Sequence, residues 1–189
     1  MSIKYIKGKK VYLRPYETEK DKEMLYRATF IEESNLFTGT TKPFTRKKIE
    51  QYVDKVMAGD DTRIDFVIVR HEDDEPVGEV VLNEISNRNA NIRIALFDTQ
   101  YFNKGYGTEA MQLMLNFGFG NLQLHRIELG VYNHNERGIH VYKKLGFKKE
   151  GVLRDYLFYN HRYYDLILMS ILEDEYRELY LNGRFTKQK

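Results

Sequence analysis

One stretch of the chain is Gln100-Tyr101-Phe102-Asn103-Lys104-Gly105-Tyr106-Gly107-Thr108-Glu109-Ala110. In it two glycines flank a single residue, at the point where a helical pattern begins. A residue without a Cβ lets other atoms approach the backbone, so Gly105 and Gly107 should expose consecutive N–H groups. The helix that follows adds partial positive charge at the same point. Together these features predict a binding site for a phosphate group.

The elements on either side of this turn predict a mixed α+β fold. Strands are predicted at residues 10–15, 64–69, 77–85, 91–97 and 125–132, with two more around a turn at 159–162. Helices are predicted at 19–30, 46–57, 106–119, 135–145 and 173–180, and segment 31–44 reads as a loop. Short turns join the three strands before the glycine turn into an antiparallel meander. One βαβ unit then lies inside a mostly antiparallel sheet, and we expect a single domain over 1–189.

Composition narrows the class of protein. Hydrophobic residues make up 42% and charged residues 31% of 189, which fits a soluble globular chain. A net charge of +2 is too balanced to argue for nucleic acid, and the absence of Cys excludes disulfides and thiolate chemistry. Residues 1–7 show no secretory signal, and no apolar run approaches the roughly 20 residues that span a bilayer. We therefore expect a cytoplasmic protein without metal, nucleic-acid or membrane partners.

The glycine turn by itself allows three interpretations. It could simply start a helix, or it could bind a dinucleotide, since Gly105-x-Gly107-x-x-Ala110 fits GxGxxG/A and Glu128 follows downstream. Against a dinucleotide, the polar stretch 98–104 separates the turn from its strand, and a meander precedes it. The third interpretation is coenzyme A, and a second motif favours it.

That second motif is Asn135-Glu136-Arg137-Gly138-Ile139-His140-Val141-Tyr142-Lys143-Lys144-Leu145-Gly146-Phe147, one strand after the glycine turn. The pair resembles the GNAT N-acetyltransferase superfamily, whose patterns are Q/R-x-x-G-x-G/A and N-x-x-S/G/A-x-x-x-Y-x-K-x-G-F. The tail at 151–165 resembles the ribosomal-protein and spermidine acetyltransferase branches. The resemblance covers nearly the whole chain and implies the GNAT fold with acetyl-CoA as co-substrate.

Three residues depart from the superfamily pattern. Phe102 stands where the pattern has Gln or Arg, so the loop would hold phosphate through backbone amides. Asn103 replaces a glycine, and Asn tolerates a left-handed backbone. Asn91 occupies a strand position where relatives often place Glu, which puts a substrate-binding carboxylate there in doubt.

The resemblance also implies where the cofactor binds. Amides of the glycine turn would hold the diphosphate, and the strand before it would pair with the pantetheine arm and polarise the thioester carbonyl. The implied contacts are Leu96, Phe97, Asn103, Lys104, Gly105, Tyr106, Gly107, Thr108, Asn135 and Tyr142. Lys104 could add a charge or be an ordinary loop lysine, and Asn135 is also a helix N-cap.

The catalytic residues expected from the resemblance are Tyr142 and Glu84. A phenol with a pKa of about 10 is protonated at neutral pH, so Tyr142 could donate a proton to the leaving thiolate, or it could simply pack. Glu79 and Glu84 fall on opposite faces of one strand, because their spacing is odd. We expect Glu84 as the base, since it aligns with an acidic position in spermidine acetyltransferases.

The acceptor is expected to be a primary amine. Deprotonating a lysine-like amine at pH 7 costs about 4.6 kcal/mol, whereas an α-amine costs about 1 kcal/mol, so a weak base favours a protein N-terminus. A polyamine would need carboxylates, which Glu32 and Glu33 could supply from the segment after the first helix. A non-catalytic CoA-binding module is the alternative, and aromatic strands near the C-terminus would suit a homodimer.

Overall fold

An eight-stranded sheet organises residues 5–181, the part of the chain that the computed structural model describes. The strands are β1 Ile6–Lys7, β2 Val11–Arg14, β3 Ile64–Arg70, β4 Pro76–Ser86, β5 Asn89–Leu96, β6 Arg126–Tyr132, β7 Lys148–Tyr159 and β8 Arg162–Leu172. The helices are α1 Glu19–Ala28, α2 Glu32–Thr38, α3 Arg46–Ala58, α4 Tyr106–Gly120, α5 Glu136–Lys144 and α6 Glu173–Leu181, with a 3₁₀ turn at Thr99–Tyr101. The order across the sheet is β1-β2-β3-β4-β5-β6-β8-β7, which confirms the predicted mixed α+β architecture.

One parallel pairing sets the shape of the sheet. All neighbouring strands are antiparallel except β5 and β6, which α4 connects as a crossover. These two strands pair over only three positions, the last of which joins Asn91 to Glu128. Beyond that point β5 continues to Leu96 and β6 to Tyr132 without pairing to each other, so a gap opens inside the sheet.

Apolar residues cover both faces of the sheet. On one face, Met111 and Met114 of α4 pack in a large core with Leu82 of β4. On the other face, Ile49 and Val53 of α3 pack against Tyr12, Val67 and Val69. Because successive strand residues point to opposite faces, Glu79 and Val81 of β4 face the α1 and α3 side together with their partners Ala95 and Arg93 of β5.

Polar caps fix where the helices that border the gap begin and end. Thr18 and Asp21 form a reciprocal capping box at the start of α1. The Asn135 side chain accepts the Gly138 N–H at 2.8 Å and starts α5. Gly146, at φ +99°, follows the end of α5, as the sequence indicated.

The prediction of a loop at 31–44 is wrong, because α2 lies within it. This helix escaped sequence analysis since its N-cap is Ile31, which offers no side-chain hydrogen bond. Contacts from other elements hold it instead, including the ring of Phe37, which stacks on His134 at 5.9 Å. The short strand β1 was also missed, whereas the remaining predicted elements differ from the observed ones by a few residues at their ends.

None of the helices within residues 5–181 combines the length and apolar character that crossing a bilayer requires.

Candidate functional site

A cavity of about 450 Å³ occupies the gap where β5 and β6 diverge. Its walls come from both strands, from the starts of α4 and α5, and from α2. Of the residues predicted for the site, the cavity is lined by Leu96, Asn103, Gly105, Gly107, Thr108, Asn135 and Tyr142. The glycine turn and the second motif therefore meet at one place, although a whole strand separates them in sequence.

The glycine turn delivers the open end of α4 to this cavity. Gly105 is the N-cap at φ +85°, a left-handed conformation that costs other residues energy, and it offers no side-chain cap. The first N–H groups of a helix have no partner within it, so those of α4 are available to a ligand. A Cβ added at Gly107 would meet only the side chains of Ile94 and Leu96, at 3.6 and 3.9 Å. The helix dipole makes this end attractive to a phosphate.

Contacts between α4 and the segment Lys9–Val11 support the turn, and sequence analysis did not find them. Glu109 of α4 accepts the backbone N–H groups of Lys9, Lys10 and Val11 at 2.8, 2.7 and 2.9 Å. Lys10 Nζ donates to the carbonyl oxygen of Lys104 at 2.8 Å, which brings an ammonium group beside the glycine turn. Nothing in the local sequence links Lys10 to a turn almost one hundred residues away.

Some predicted cofactor contacts do not reach the cavity. Lys104 and Tyr106 lie in the turn but outside the cavity wall. Phe97 is buried, and its N–H donates to Val77 O at 2.9 Å, so this group is not free to polarise a carbonyl. Its backbone N–H is therefore paired within the sheet, and a cofactor contact of Phe97 stays a prediction.

The neighbouring residue of β5 has the opposite orientation. Hydrogen-bonded and non-bonded pairs alternate along antiparallel strands, so Leu96 and Ile94 direct their backbone groups away from β4. Those groups face the gap, where Ser34 Oγ of α2 lies 3.4 Å from Leu96 O. Leu96 therefore directs its backbone groups toward the gap, and its contact with a cofactor stays a prediction.

Tyr142 lies on α5 and lines the cavity. Its ring contacts Phe147 edge-on at 6.0 Å, and its phenolic oxygen has no hydrogen-bond partner among residues 5–181. Burial raises the pKa of Tyr142 to about 12, so the phenol stays protonated at neutral pH. Its neighbour in the motif, Asn135, lines the same cavity while capping α5, and a Cβ at Gly138 would crowd Asn135 Nδ2 at 2.7 Å.

The carboxylate that reaches the cavity is Glu79, not Glu84. Glu79 is 7% exposed and its Oε2 accepts the Tyr16 hydroxyl at 2.6 Å. Burial and the nearby Glu79 hold the pKa of Tyr16 well above its usual range, so Tyr16 remains a donor. Glu84 is exposed at φ 56° within a β-bulge that follows Asn83, and it is not among the residues that line the cavity. The expected placement of Glu84 in the site is corrected for this reason.

The two glutamates expected at the acceptor wall lie in the first turn of α2. Both Glu32 and Glu33 are exposed and outside the cavity lining, although the same helix contributes Ser34, Phe37 and Thr38 to that lining. Glu33 lies 3.8 Å from Arg137 at the rim. The helix thus borders the cavity through other residues, and a role of Glu32 and Glu33 in binding an acceptor stays a prediction.

Two arginines that sequence analysis did not select also line the cavity. The guanidinium of Arg137, in the first turn of α5, lies 3.8 Å from the centre of the Phe102 ring. Arg93, on the acceptor-facing side of β5, lies 3.7 Å from Glu79 Oε1 and donates to the Tyr52 hydroxyl at 2.8 Å. A lone cation within the apolar strand Asn89–Leu96 was the available signal for Arg93.

His134 anchors α2 to the rest of the site. Its ring stacks on Phe37 and Tyr132 at 5.9 and 5.8 Å, and Nε2 lies 3.2 Å from Leu36 O. Burial lowers the pKa of His134, so the neutral ring is favoured and Nε2–H can donate to that carbonyl. His134 is therefore a structural contact of the acceptor wall.

Comparison with known proteins agrees with this geometry. A family model described as an acetyltransferase (GNAT) domain matches residues 10–148. The chain therefore belongs to the GNAT acetyltransferase family, and it is an acetyltransferase by that membership.

Individual relatives and structures point the same way. The chain is 32% identical over 185 residues to a probable N-acetyltransferase, YjcK, of Bacillus subtilis. That alignment covers 90% of this chain and 98% of the Bacillus protein. It is 39% identical over 106 residues to the spermidine N(1)-acetyltransferase of Escherichia coli K12, covering 55% of this chain and 56% of that enzyme. Spermidine N-acetyltransferase from Vibrio cholerae, solved with CoA and spermine, superposes with a TM-score of 0.81 at 26% identity, over 88% of this chain and 98% of that one.

Proposed function

We propose that the protein transfers an acetyl group from acetyl-CoA to a primary amine by direct attack within a ternary complex. The observation that supports this most strongly is the gap between β5 and β6, which joins the uncapped start of α4 to the phenol of Tyr142. The family to which the chain belongs uses this co-substrate, and the Vibrio cholerae neighbour was solved with CoA.

The residues present fit coenzyme A. Backbone N–H groups of the turn 103–108 would bind the diphosphate, and Lys10 and Arg137 would add positive charge nearby. The inward backbone groups of Ile94 and Leu96 would pair with the amides of the pantetheine arm. When bound, acetyl-CoA supplies a thioester whose sulfur departs as a thiolate.

Tyr142 would supply the proton that the departing sulfur needs. Its hydroxyl is not engaged in the protein's own hydrogen bonds among the described residues, so it is free to turn toward the cleft. With a pKa raised to about 12, the phenol carries its proton at every physiological pH. Asn135 holds the start of the same helix and lines the same wall, which keeps Tyr142 in position.

Glu79 would accept the proton that the amine loses. It is the carboxylate in the cavity wall within residues 5–181, and Tyr16 and Arg93 fix its two oxygens. The amine gives a proton to Glu79, its nitrogen forms the new bond to the acyl carbon, and the carbon–sulfur bond breaks as Tyr142 protonates sulfur. This assignment moves the expected base from Glu84 to Glu79 on the same strand.

Turnover with a panel of amines tests the proposal. CoA release should require both acetyl-CoA and an amine, and Tyr142→Phe should reduce it. Tyr26→Phe is the matched control, since the Tyr26 ring packs on Phe30 and Arg46 away from the cavity. Binding of acetyl-CoA without acetylation of any amine would instead support the alternative, a non-catalytic CoA-binding module.

Three further expectations accompany this proposal. A single domain for residues 1–189 and a cytoplasmic location are predictions from the sequence. A homodimer is the third, and β7 offers a surface for it, because this strand forms one edge of the sheet and exposes Val152, Leu153, Tyr156 and Phe158. Size-exclusion chromatography with light scattering would determine whether that edge pairs with a second copy.

A further inference from the structure

The carboxylates around the acceptor side of the cavity are already paired with guanidinium groups. Glu79 lies 3.7 Å from Arg93, and at the rim Glu33 lies 3.8 Å from Arg137. Behind this wall, Asp65 is buried against Arg63 at 2.6 Å. Within residues 5–181 the carboxylate that lines the cavity is Glu79, so a polycation entering here would find that carboxylate already beside a guanidinium group.

Arg93 has hydrogen-bonding capacity to spare. Its Nη2 donates to the Tyr52 hydroxyl, but Nε and Nη1 make no hydrogen bond to any residue between 5 and 181. The side chain is 49% exposed and lines the cavity on the same strand face as Asn91, which is neutral. A guanidinium with free donors in a cleft binds a carboxylate better than any neutral group.

Tyr52 holds this arginine in place. Its hydroxyl accepts from both Arg93 and Arg63 and donates to Asp65 Oδ1 at 3.2 Å, which uses the full capacity of a phenol. Burial raises the pKa of Tyr52, so the donor to Asp65 is retained. The orientation of Arg93 beside Glu79 is thus built into α3 and β3.

Resting on the proposed function, we infer that the acceptor is a small amine that carries a carboxylate beside its amino group, as a free α-amino acid does. The amino group would lie at Glu79 and the carboxylate at the free donors of Arg93. The short separation of Glu79 and Arg93 matches two groups attached to one carbon. A peptide N-terminus lacks this carboxylate, since it is tied up in an amide, and a polyamine places a second cation against Arg93.

The test compares free L-α-amino acids with their carboxamides, with spermidine and with short peptides, at fixed acetyl-CoA. At least one amino acid should be acetylated with a kcat/KM about tenfold or more above that of its own carboxamide, because only the acid pairs with Arg93. Arg93→Gln should remove this preference by raising KM for the acid about tenfold more than KM for its carboxamide, so that the two kcat/KM values converge. Arg177→Gln, which alters an exposed arginine on α6, is the matched control and should keep the preference.

A separate measurement tests whether Tyr52 positions Arg93. Tyr52→Phe should raise KM for the acid more than for the carboxamide, whereas a merely structural role would change both equally. Arg93→Lys should restore part of the preference, since it keeps the charge without the planar fork.

The possible results distinguish the inference of an amino-acid acceptor from the proposal of acetyltransferase activity. Robust acetylation of spermidine or peptides in preference to every amino acid would overturn the inference and leave the acetyltransferase proposal standing. An acid preference that survives Arg93→Gln would also overturn it. Thermal stabilisation by acetyl-CoA with no amine acetylated at all would overturn both claims.

Discussion

Replacing Tyr142 by Phe should slow the chemical step and leave the fold intact. The phenolic oxygen bonds to no residue within 5–181, so its removal breaks no hydrogen bond of the described structure. The ring still packs on Phe147 and keeps its volume. We therefore expect Tm to stay within about 2 °C, which corresponds to less than about 1 kcal/mol for a chain of this size.

The effect on the rate follows from the pKa of the donor. The phenol pKa of about 12 lies well above the value of about 8.5 for an ordinary thiol. Proton transfer to a fully formed thiolate would thus be uphill in water, and the donor acts only as charge develops on sulfur. This places the contribution near the lower end of general acid catalysis, about a hundredfold in kcat.

The assay follows CoA release with a thiol-reactive dye while acetyl-CoA is varied at saturating amine. The substitution should lower kcat about a hundredfold and change KM for acetyl-CoA less than threefold, since the hydroxyl acts in the transition state. Because the phenol keeps its proton below about pH 12, the wild-type profile should show no alkaline loss up to pH 10. An unchanged kcat with an unchanged Tm would refute the role of Tyr142.

Three further predictions concern other parts of the structure. Glu79→Gln should lower kcat/KM about a hundredfold at pH 7 and less at pH 9, because more of the amine is already neutral at the higher pH. In the same assay, Glu84→Gln should keep kcat/KM within about twofold of the wild-type value. Asp21→Asn should destabilise the fold by about 3–5 kcal/mol in urea unfolding, because the buried Arg14 loses a bidentate partner at 2.7 and 2.8 Å. As a control, Lys20→Gln removes one partner of an exposed ion pair and should cost less than about 1 kcal/mol. The lowered pKa of His134 stabilises the fold above pH 6.5, and this contribution should be lost as pH falls below 6.5, so His134→Gln should flatten the pH dependence of unfolding there.

Each of the three has a clear contrary result. Equal losses for the two glutamate variants would remove Glu79 as the base. A similar cost for the Asp21 and Lys20 variants would contradict the effect of burial. A pH dependence unchanged by the His134 substitution would show that the ring does not contribute to acid sensitivity.

The sequence predicted the elements whose signals are local. The glycine turn at Gly105 and the N-cap at Asn135 depend on conformational freedom and side-chain capping, and both were visible in the printed chain. Helix α2 was not visible, because it starts at Ile31 without a capping side chain and depends on contacts with His134, about one hundred residues away. Its stability comes from tertiary packing, which no local pattern reports.

The candidate site likewise combines features that the sequence predicts with features that only the three-dimensional structure shows. The odd spacing of Glu79 and Glu84 predicted opposite faces for them, but the bulge after Asn83 interrupts this alternation, and a bulge has no sequence signal here. The blocked N–H of Phe97 is a matter of strand register. The pairing of Arg93 with Glu79 and Tyr52 joins three separate elements and could be found only in three dimensions.

Mass spectrometry of both amine and protein after a single turnover with acetyl-CoA tests the central claim most directly. If the gap holds the thioester while Glu79 and Tyr142 exchange protons with the reactants, one acetyl group should appear on the amine for each CoA released. It also predicts no acetyl group on the protein at any time. Release of CoA with the acetyl group bound to the protein, or with no acetylated amine, would contradict this account.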